Sequence, residues 1–234
     1  MQLHEIHTAW AGHPRCENCG IRHLVLFADL EQQDFALIHE PIAQHEVEVG
    51  EQLYRAGDEP EYVYTVRSGL LKLVHYLPDG SQRIVRLLHQ GDVAGMEALL
   101  GEAYHHHAIA LEPVEFCRIP VPVIERLSRE TPRLHHQLLT RWQGAVAEAE
   151  SWLTDLATGP AHARVARLLI QLADASPTVD CYIPHREDLG AMVGVTMETA
   201  SRIIAEFKRK GFLRELGSNR ARVDVDALKA EAEG

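Results

Sequence analysis

No apolar run in the chain approaches the roughly 20 residues that a membrane-spanning helix needs. The first residues, Met1–Gly12, carry His4, Glu5 and His7 around no apolar core, and are read as no secretory signal. Cysteine is scarce, with four in 234 residues, and only Cys16 and Cys19 are closely spaced. That excludes a disulfide framework and points to a reduced, cytoplasmic setting, where a Cys-x-x-Cys pair is more often metal-binding or redox-active than structural. Positive charge is in deficit, 23 Lys and Arg against 34 Asp and Glu, for a net charge of −11. Taken alone, that balance weighs against nucleic acid as a partner. With 46% hydrophobic residues the chain is not biased towards disorder, and its length suits one large or two modest domains.

Three textures follow one another. From about Phe35 to Ile119, short alternating segments are punctuated by glycine: His45–Val49 stops at Gly50, Tyr62–Val66 leads to Ser68-Gly69, and Leu70–Tyr76 turns at Pro78-Asp79-Gly80 into Ile84–Leu88. Strands this short and evenly spaced predict an antiparallel roll or barrel. From Pro132 to Thr158 the period becomes helical, and Gly159-Pro160 ends it. Leu134, Leu138, Trp142, Ala145, Ala149, Trp152 and Leu156 form a seam beside a second row of Leu139, Val146 and Leu153. Such a seam suits a long core-packed helix, but sustained over ~40 Å it more often marks a helix partner, here the same helix of a second copy.

The remainder, from Ala161, is compact and helical. Val165, Leu168, Leu169 and Leu172 mark one amphipathic helix, and Arg186–Phe212 holds two more that part at Gly194. A hairpin framed by Gly211, Gly217 and Asn219 follows over about Leu213–Val225. Two helices across a glycine turn, followed by a hairpin, predict a winged helix-turn-helix. The expected class is therefore α+β, with an N-terminal antiparallel β-roll, a long dimerisation helix and the winged helix. Residues 1–30 are an arm bearing the Cys pair, 31–121 the roll, 122–159 hinge and dimer helix, and 160–234 the DNA-binding domain.

The chemistry concentrates in the second helix of that motif. Thr196 is placed to cap it and is counted with the expected DNA contacts, and Leu189, Met192 and Val193 bury one side of the helix before. Ala200, Ile203, Ile204 and Phe207 form an inward stripe. The opposite face presents Glu198, Ser201 and Arg202. A carboxylate accepts from cytosine N4, a guanidinium forks onto guanine, and a hydroxyl serves either edge. On an arbitrary helix Glu198 and Arg202 would be a surface pair worth a few tenths of a kcal/mol; inside this frame they read bases. From Arg186 to Arg222 eight basic side chains face five acidic ones, so the segment is +3 and the rest of the chain −14. Lys208, Arg209, Lys210, Arg220 and Arg222 are the expected phosphate contacts.

With the glycine-marked roll (Gly50, Gly57, Gly69, Gly80, Gly91-Asp92, Gly95), the long helix and the winged helix, the chain resembles the CRP/FNR family of bacterial transcription regulators over essentially its whole length. Thr196-Met197-Glu198-Thr199-Ala200-Ser201-Arg202 is similar to the FNR branch; the cAMP receptor branch would carry arginine where Met197 stands. The resemblance implies a TTGAT-like palindromic operator on double-stranded DNA, a homodimer, contact with RNA polymerase, and no enzymatic activity. It also implies a 4Fe–4S cluster on four cysteines. Cys16, Cys19 and Cys117 match three of them; Val25 stands where the remaining one belongs, leaving His23 or His13 as candidate substitutes. Haem and a bare thiol switch remain alternatives. Gly101–Ala108 holds no arginine for a cyclic phosphate, which argues against cAMP. FNR-type regulators place an acidic residue on the dimer helix, and alignment through Gly144 puts Ala149 there, so dimerisation without a cluster is expected.

The roll also resembles a cupin-like metalloenzyme, and fifteen histidines invite that reading. No His-x-Asp/Glu…His triad appears at strand spacing, however, and an oxygenase would not account for the base-reading face. His105–His107 is equally well explained as a turn, and Cys181 as a small packing residue.

Overall fold

The structure, a computed structural model, describes residues 4–10, 26–31, 33–38, 40–174 and 180–233. Its contacts divide the chain into two units: Met1–His75 with Arg86–Val146, and Tyr76–Val85 with Ala147–Gly234.

The first unit is the roll. Its strands are β1 (His4–Trp10), β2 (Ile42–Val47), β3 (Gln52–Tyr54), β4 (Tyr62–Ser68), β5 (Leu71–Tyr76), β6 (Gln82–Leu88), β7 (Val93–Ala94), β8 (His107–Ala110) and β9 (Val114–Pro120). Among the described residues they form one sheet in the order β1-β2-β9-β4-β7 and another in the order β3-β8-β5-β6. The pairings are antiparallel, as alternating short strands joined by tight turns require. Gly69 shows why such a turn needs glycine. It sits at φ +86°, and a Cβ there would fall 2.0 Å from the Pro113 carbonyl oxygen. Phe35, Val63, Val66, Leu71 and Phe116 are almost wholly buried within the roll.

Two helices follow where one was expected. α1 (Val121–Glu130) carries proline in its first turn and ends at Thr131; α2 runs Pro132–Asp155. Leu127 and Leu134 are fully buried on either side of the break, and Thr131 is buried at it. The Arg133 guanidinium fastens the start of α2 by donating to Asp34 Oδ2 (2.9 Å) and Oδ1 (3.2 Å).

The orientation of α2 revises the seam. Leu134 and Leu156 are buried by their own chain, and Leu138 is half-buried against the roll's core. Trp152 and Ala145 are half-buried. The apolar row left outward is Leu139, Trp142, Val146, Ala149 and Leu153, stepping by three and four residues. It joins the second row to Trp142 and Ala149, rotating the available face by about one position.

The second unit is built from α3 (Ala161–Asp174), β10 (Asp180–Tyr182), α4 (Arg186–Val193), α5 (Met197–Lys210), β11 (Leu213–Gly217), β12 (Arg220–Val223) and α6 (Val225–Glu233). The strands lie in the order β10-β12-β11. Val165, Leu168, Leu169, Leu189, Ile203 and Phe207 are fully buried and close the helices over one core. Cys181 is buried there with its thiol donating to the Ala221 carbonyl (3.6 Å), and burial pushes its pKa up, as suits a packing residue.

Candidate nucleic-acid interface

The turn between α4 and α5 is set by two glycines. A Cβ on Gly190 would fall 2.6 Å from the Val195 carbonyl oxygen, so α4 and the turn approach too closely for any other residue. Gly194 takes φ +68° as the C-cap of α4 and donates to the Gly190 carbonyl (2.8 Å). Thr196 then caps α5: its hydroxyl accepts from the Thr199 amide at 3.3 Å. The hairpin tip Tyr76–Val85 belongs to this unit, and Gln82 donates its amide N–H to Asp188 on α4 (3.2 Å).

With Ala200, Ile203, Ile204 and Phe207 buried beneath it, α5 turns Met197, Glu198, Ser201 and Arg202 outward. Glu198 and Arg202 could have closed on each other one turn apart. Instead, among the described residues, the Arg202 guanidinium makes no ion pair. The Glu198 carboxyl is held below its usual pKa by its own backbone amide and by the Thr196 hydroxyl, so it stays an acceptor. All three predicted base-reading groups therefore share one exposed face.

The expected phosphate contacts divide. Arg209 is exposed and, among the described residues, makes no ion pair. Lys208 is bound by Glu215 Oε1 on β11 (2.5 Å), which Arg186 also reaches (3.1 Å). Lys210 joins Glu206 (2.9 Å) and Glu231 (3.2 Å), Arg222 pairs with Asp180 (3.1 Å), and Arg220 is half-buried. Arg214 is exposed and, among the described residues, makes no ion pair. It stands opposite Arg222 in the β11–β12 register and so shares its face. The signal that could have found Arg214 is this pairing across a two-residue turn. That turn, Ser218-Asn219, holds both residues at left-handed φ, 48° and 55°.

Cys16, Cys19, His13 and His23 lie outside the described residues. Cys117 is half-buried on β9, where Arg67 donates to its sulfur (3.7 Å). It registers with Gln44 on β2, which in turn registers with His7 on β1, so the strand leading into the cysteine arm runs two positions across the sheet from Cys117. Of the expected cluster ligands, Cys117 is the one that lies among the described residues. Among the described residues no three His, Cys, Asp or Glu side chains gather as a metal site, His105–His107 included.

The chain matches the cyclic nucleotide-binding domain over residues 44–131 and the Crp-like helix-turn-helix domain over residues 163–231. It belongs to the CRP/FNR family. It is 28% identical over 221 residues to the fumarate and nitrate reduction regulatory protein of Escherichia coli K12, spanning 91% of this chain and 88% of that one. The protein of the same name from Vibrio cholerae is 27% identical over 209 residues, or 86% and 84% of the two chains. FixK2 from Bradyrhizobium japonicum has a similar structure, with a TM-score of 0.74 over 81% of this chain and 96% of its own at 23% identity. TTHB099, a CRP family transcriptional regulator from Thermus thermophilus, gives 0.70 over the same shares at 26% identity. This CRP/FNR family chain is thus a DNA-binding transcription regulator, built as the antiparallel roll, helices and winged helix-turn-helix read from its sequence. No helix among its described residues is long and apolar enough to cross a membrane.

Proposed function

We propose that this regulator acts in the cytoplasm as a homodimer, binds a TTGAT-like palindrome and responds to oxygen or redox state. The observation that carries the reading is the shared exposed face of Glu198, Ser201 and Arg202, with Arg202 uncommitted to any ion pair among the described residues. Base readout asks for such a set of a carboxylate, a hydroxyl and a fork of donors. The outward row on α2 supports pairing with a second copy, because an apolar heptad row is buried when two such helices associate.

Cys16, Cys19 and Cys117 are the residues that would hold an iron–sulfur cluster, with His13 or His23 supplying the fourth ligand. When bound, the cluster provides an oxygen-labile redox centre. The chain's own contribution is to fix Cys117 on a rigid strand beside Arg67, two positions across the sheet from β1. The signal acts through its differential affinity for the DNA-competent arrangement. Contact with RNA polymerase would follow on the operator, and no catalytic role is assigned. Gly101–Ala108, lacking arginine, supports a signal other than a cyclic nucleotide. A thiol switch on the same cysteines is the second reading, favoured by the guanidinium set against the Cys117 sulfur.

Anaerobic purification with iron and sulfide analysis, read beside the visible spectrum, tests the cofactor. A broad brownish absorption with bound sulfide supports the cluster, a sharp Soret band replaces it with haem, and neither leaves the thiol switch. A mobility-shift comparison of TTGAT and TGTGA palindromes tests the operator; preference for TGTGA overturns it.

A further inference from the structure

Arg167 on α3 lies half-buried where the ends of two helices meet. One of its guanidinium nitrogens donates to the Asp155 carbonyl at the end of α2 (3.0 Å) and to the Thr158 carbonyl just beyond it (3.0 Å). Another donates to the Ala232 carbonyl in the last turn of α6 (2.9 Å). Helix ends leave such carbonyls without partners inside the helix, and their dipoles favour a cation. A planar fork of donors reaches all of these carbonyls in one fixed geometry; a lysine ammonium on its flexible stem does not. Two further bonds stiffen the same corner. Gln171, one turn on along α3, donates to Asp155 Oδ2 (3.2 Å), and so does the Ser151 hydroxyl on α2 (2.8 Å).

Arg164 stands one turn before Arg167 and donates to the Val193 carbonyl at the end of α4 (2.6 Å). α3 is thus a strut: Arg164 fastens it to the turn that leads into α5, and Arg167 to the end of α2. Residues 147–155 of α2 belong to the same unit as α3 and α5, and carry Ala149 and Leu153 of the outward apolar row. The chain that joins α2 to α3, residues 157–160, is exposed, so the fork and not the connection fixes the angle between them. We propose that Arg167 is a positioning residue that selects the half-site spacing of the operator, by holding the reading head at one angle to the dimer seam. The proposal rests on the readings of α2 as the seam and of α5 as the base-reading helix. Each base pair added between half-sites turns one against the other by about 34° and shifts it by about 3.4 Å. A rigid link gives the second half-site a high effective concentration at one spacing and a low one at others, whereas a slack link evens them out.

The test measures binding of wild type, Arg167→Gln and Arg167→Lys to the TTGAT palindrome, to palindromes with the spacer shortened or lengthened by one base pair, and to a duplex carrying a single half-site. The wild type is expected to lose roughly tenfold when the spacer changes. Both variants are expected to bind the matched palindrome severalfold more weakly, to lose less than about threefold on the same change, and to equal the wild type on the single half-site. A spacer profile as sharp as the wild type's in either variant overturns the proposal. A wild type indifferent to spacing, yet still preferring the palindrome to random DNA, overturns it too and leaves the reading of α5 standing. Equal weakening on the single half-site would make Arg167 a prop of the reading head's own fold, and also overturns it. A wild type that is monomeric by light scattering takes down the reading of the seam, one without palindrome preference that of α5, and either takes the proposal with it. Arg167→Lys keeps a cation against both helix ends and so carries the test even where thermal unfolding shows Arg167→Gln to be unfolded.

Discussion

The ammonium of Lys208, in the last turn of α5, is bound to the carboxylate of Glu215 on the first strand of the wing, 2.5 Å away. Arg186 reaches the same oxygen, and these two cations hold the Glu215 carboxyl below its usual pKa, Lys208 most strongly. One carboxylate thus occupies two cations at the edge of the reading head. Surface pairs of this kind contribute little to stability. Glu215→Gln is therefore expected to leave the fold intact and tighten binding to all sequences alike. The slope of log affinity against log salt should steepen by about one unit for each additional phosphate neutralised. An unchanged slope in a salt titration would show that Lys208 and Arg186 face away from the backbone.

Arg202 and Arg209 are both without an ion pair among the described residues, yet they should fail differently. Arg202→Ala is expected to cost about 1–3 kcal/mol on the palindrome and to relax one base position, with random DNA scarcely affected. Arg209→Ala should weaken specific and random DNA by the same factor. Competition titrations against both DNAs distinguish them; equal losses for Arg202→Ala would refute its assignment as a reader.

Ala149 lies on the outward apolar row of α2. Two facing alanines permit close approach, and cluster-free wild-type protein is expected to be dimeric. Ala149→Glu places two carboxylates against each other across the seam, and should give a monomer at micromolar concentration. Light scattering at matched concentrations decides the matter, and a monomeric cluster-free wild type would sink the idea.

Arg133 and Asp34 predict how the roll responds to acid. Burial raises the Asp34 pKa, but hydrogen bonds from Arg133, the Glu31 amide and Thr131, with the charge of Arg133, outweigh it and hold the carboxyl below the ordinary aspartate range. Because the folded value lies below the unfolded one, the stabilisation is present above the ordinary aspartate range and disappears as pH falls through the folded value. Arg133→Ala should destabilise the roll near neutrality, since the Asp34 carboxylate loses its donors. The gap between the wild-type and variant urea curves should narrow as pH falls below the ordinary aspartate range.

Gly190→Ala brings a methyl against the backbone of the turn. A cost of about 1–3 kcal/mol is expected from the displacement this forces. Thermal unfolding of the second unit should show it, together with weaker binding to every DNA.

The elements legible in the sequence are those whose signals are local. Gly69, Gly80, Gly194 and Gly211 mark turns because their backbones need left-handed φ, and Thr196 caps the helix it precedes. The inward stripe of α5 follows from spacing alone. What escaped depends on partners distant in the chain. Leu134 and Leu138 set the phase of the expected seam, but the roll's own core claims them; periodicity shows that a face is apolar and not what covers it. Lys208 and Arg222 are visibly basic, while Glu215 and Asp180, which occupy them, become neighbours only through the wing and sheet. The separate helix α1 ahead of α2 is hard to see in the sequence, because proline suits a first turn as well as a linker.

Ser218 and Asn219, at left-handed φ, leave the wing no slack. A two-residue turn of this kind has nearly one conformation, so its ordering entropy is lost during folding rather than on contact with DNA. A wing that contacts the duplex would meet it as a preformed tool, and its recognition should depend little on temperature through loop ordering. Inserting two glycines at the tip would convert that rigidity into a cost of association, slowing nothing in the encounter but shortening the life of the complex.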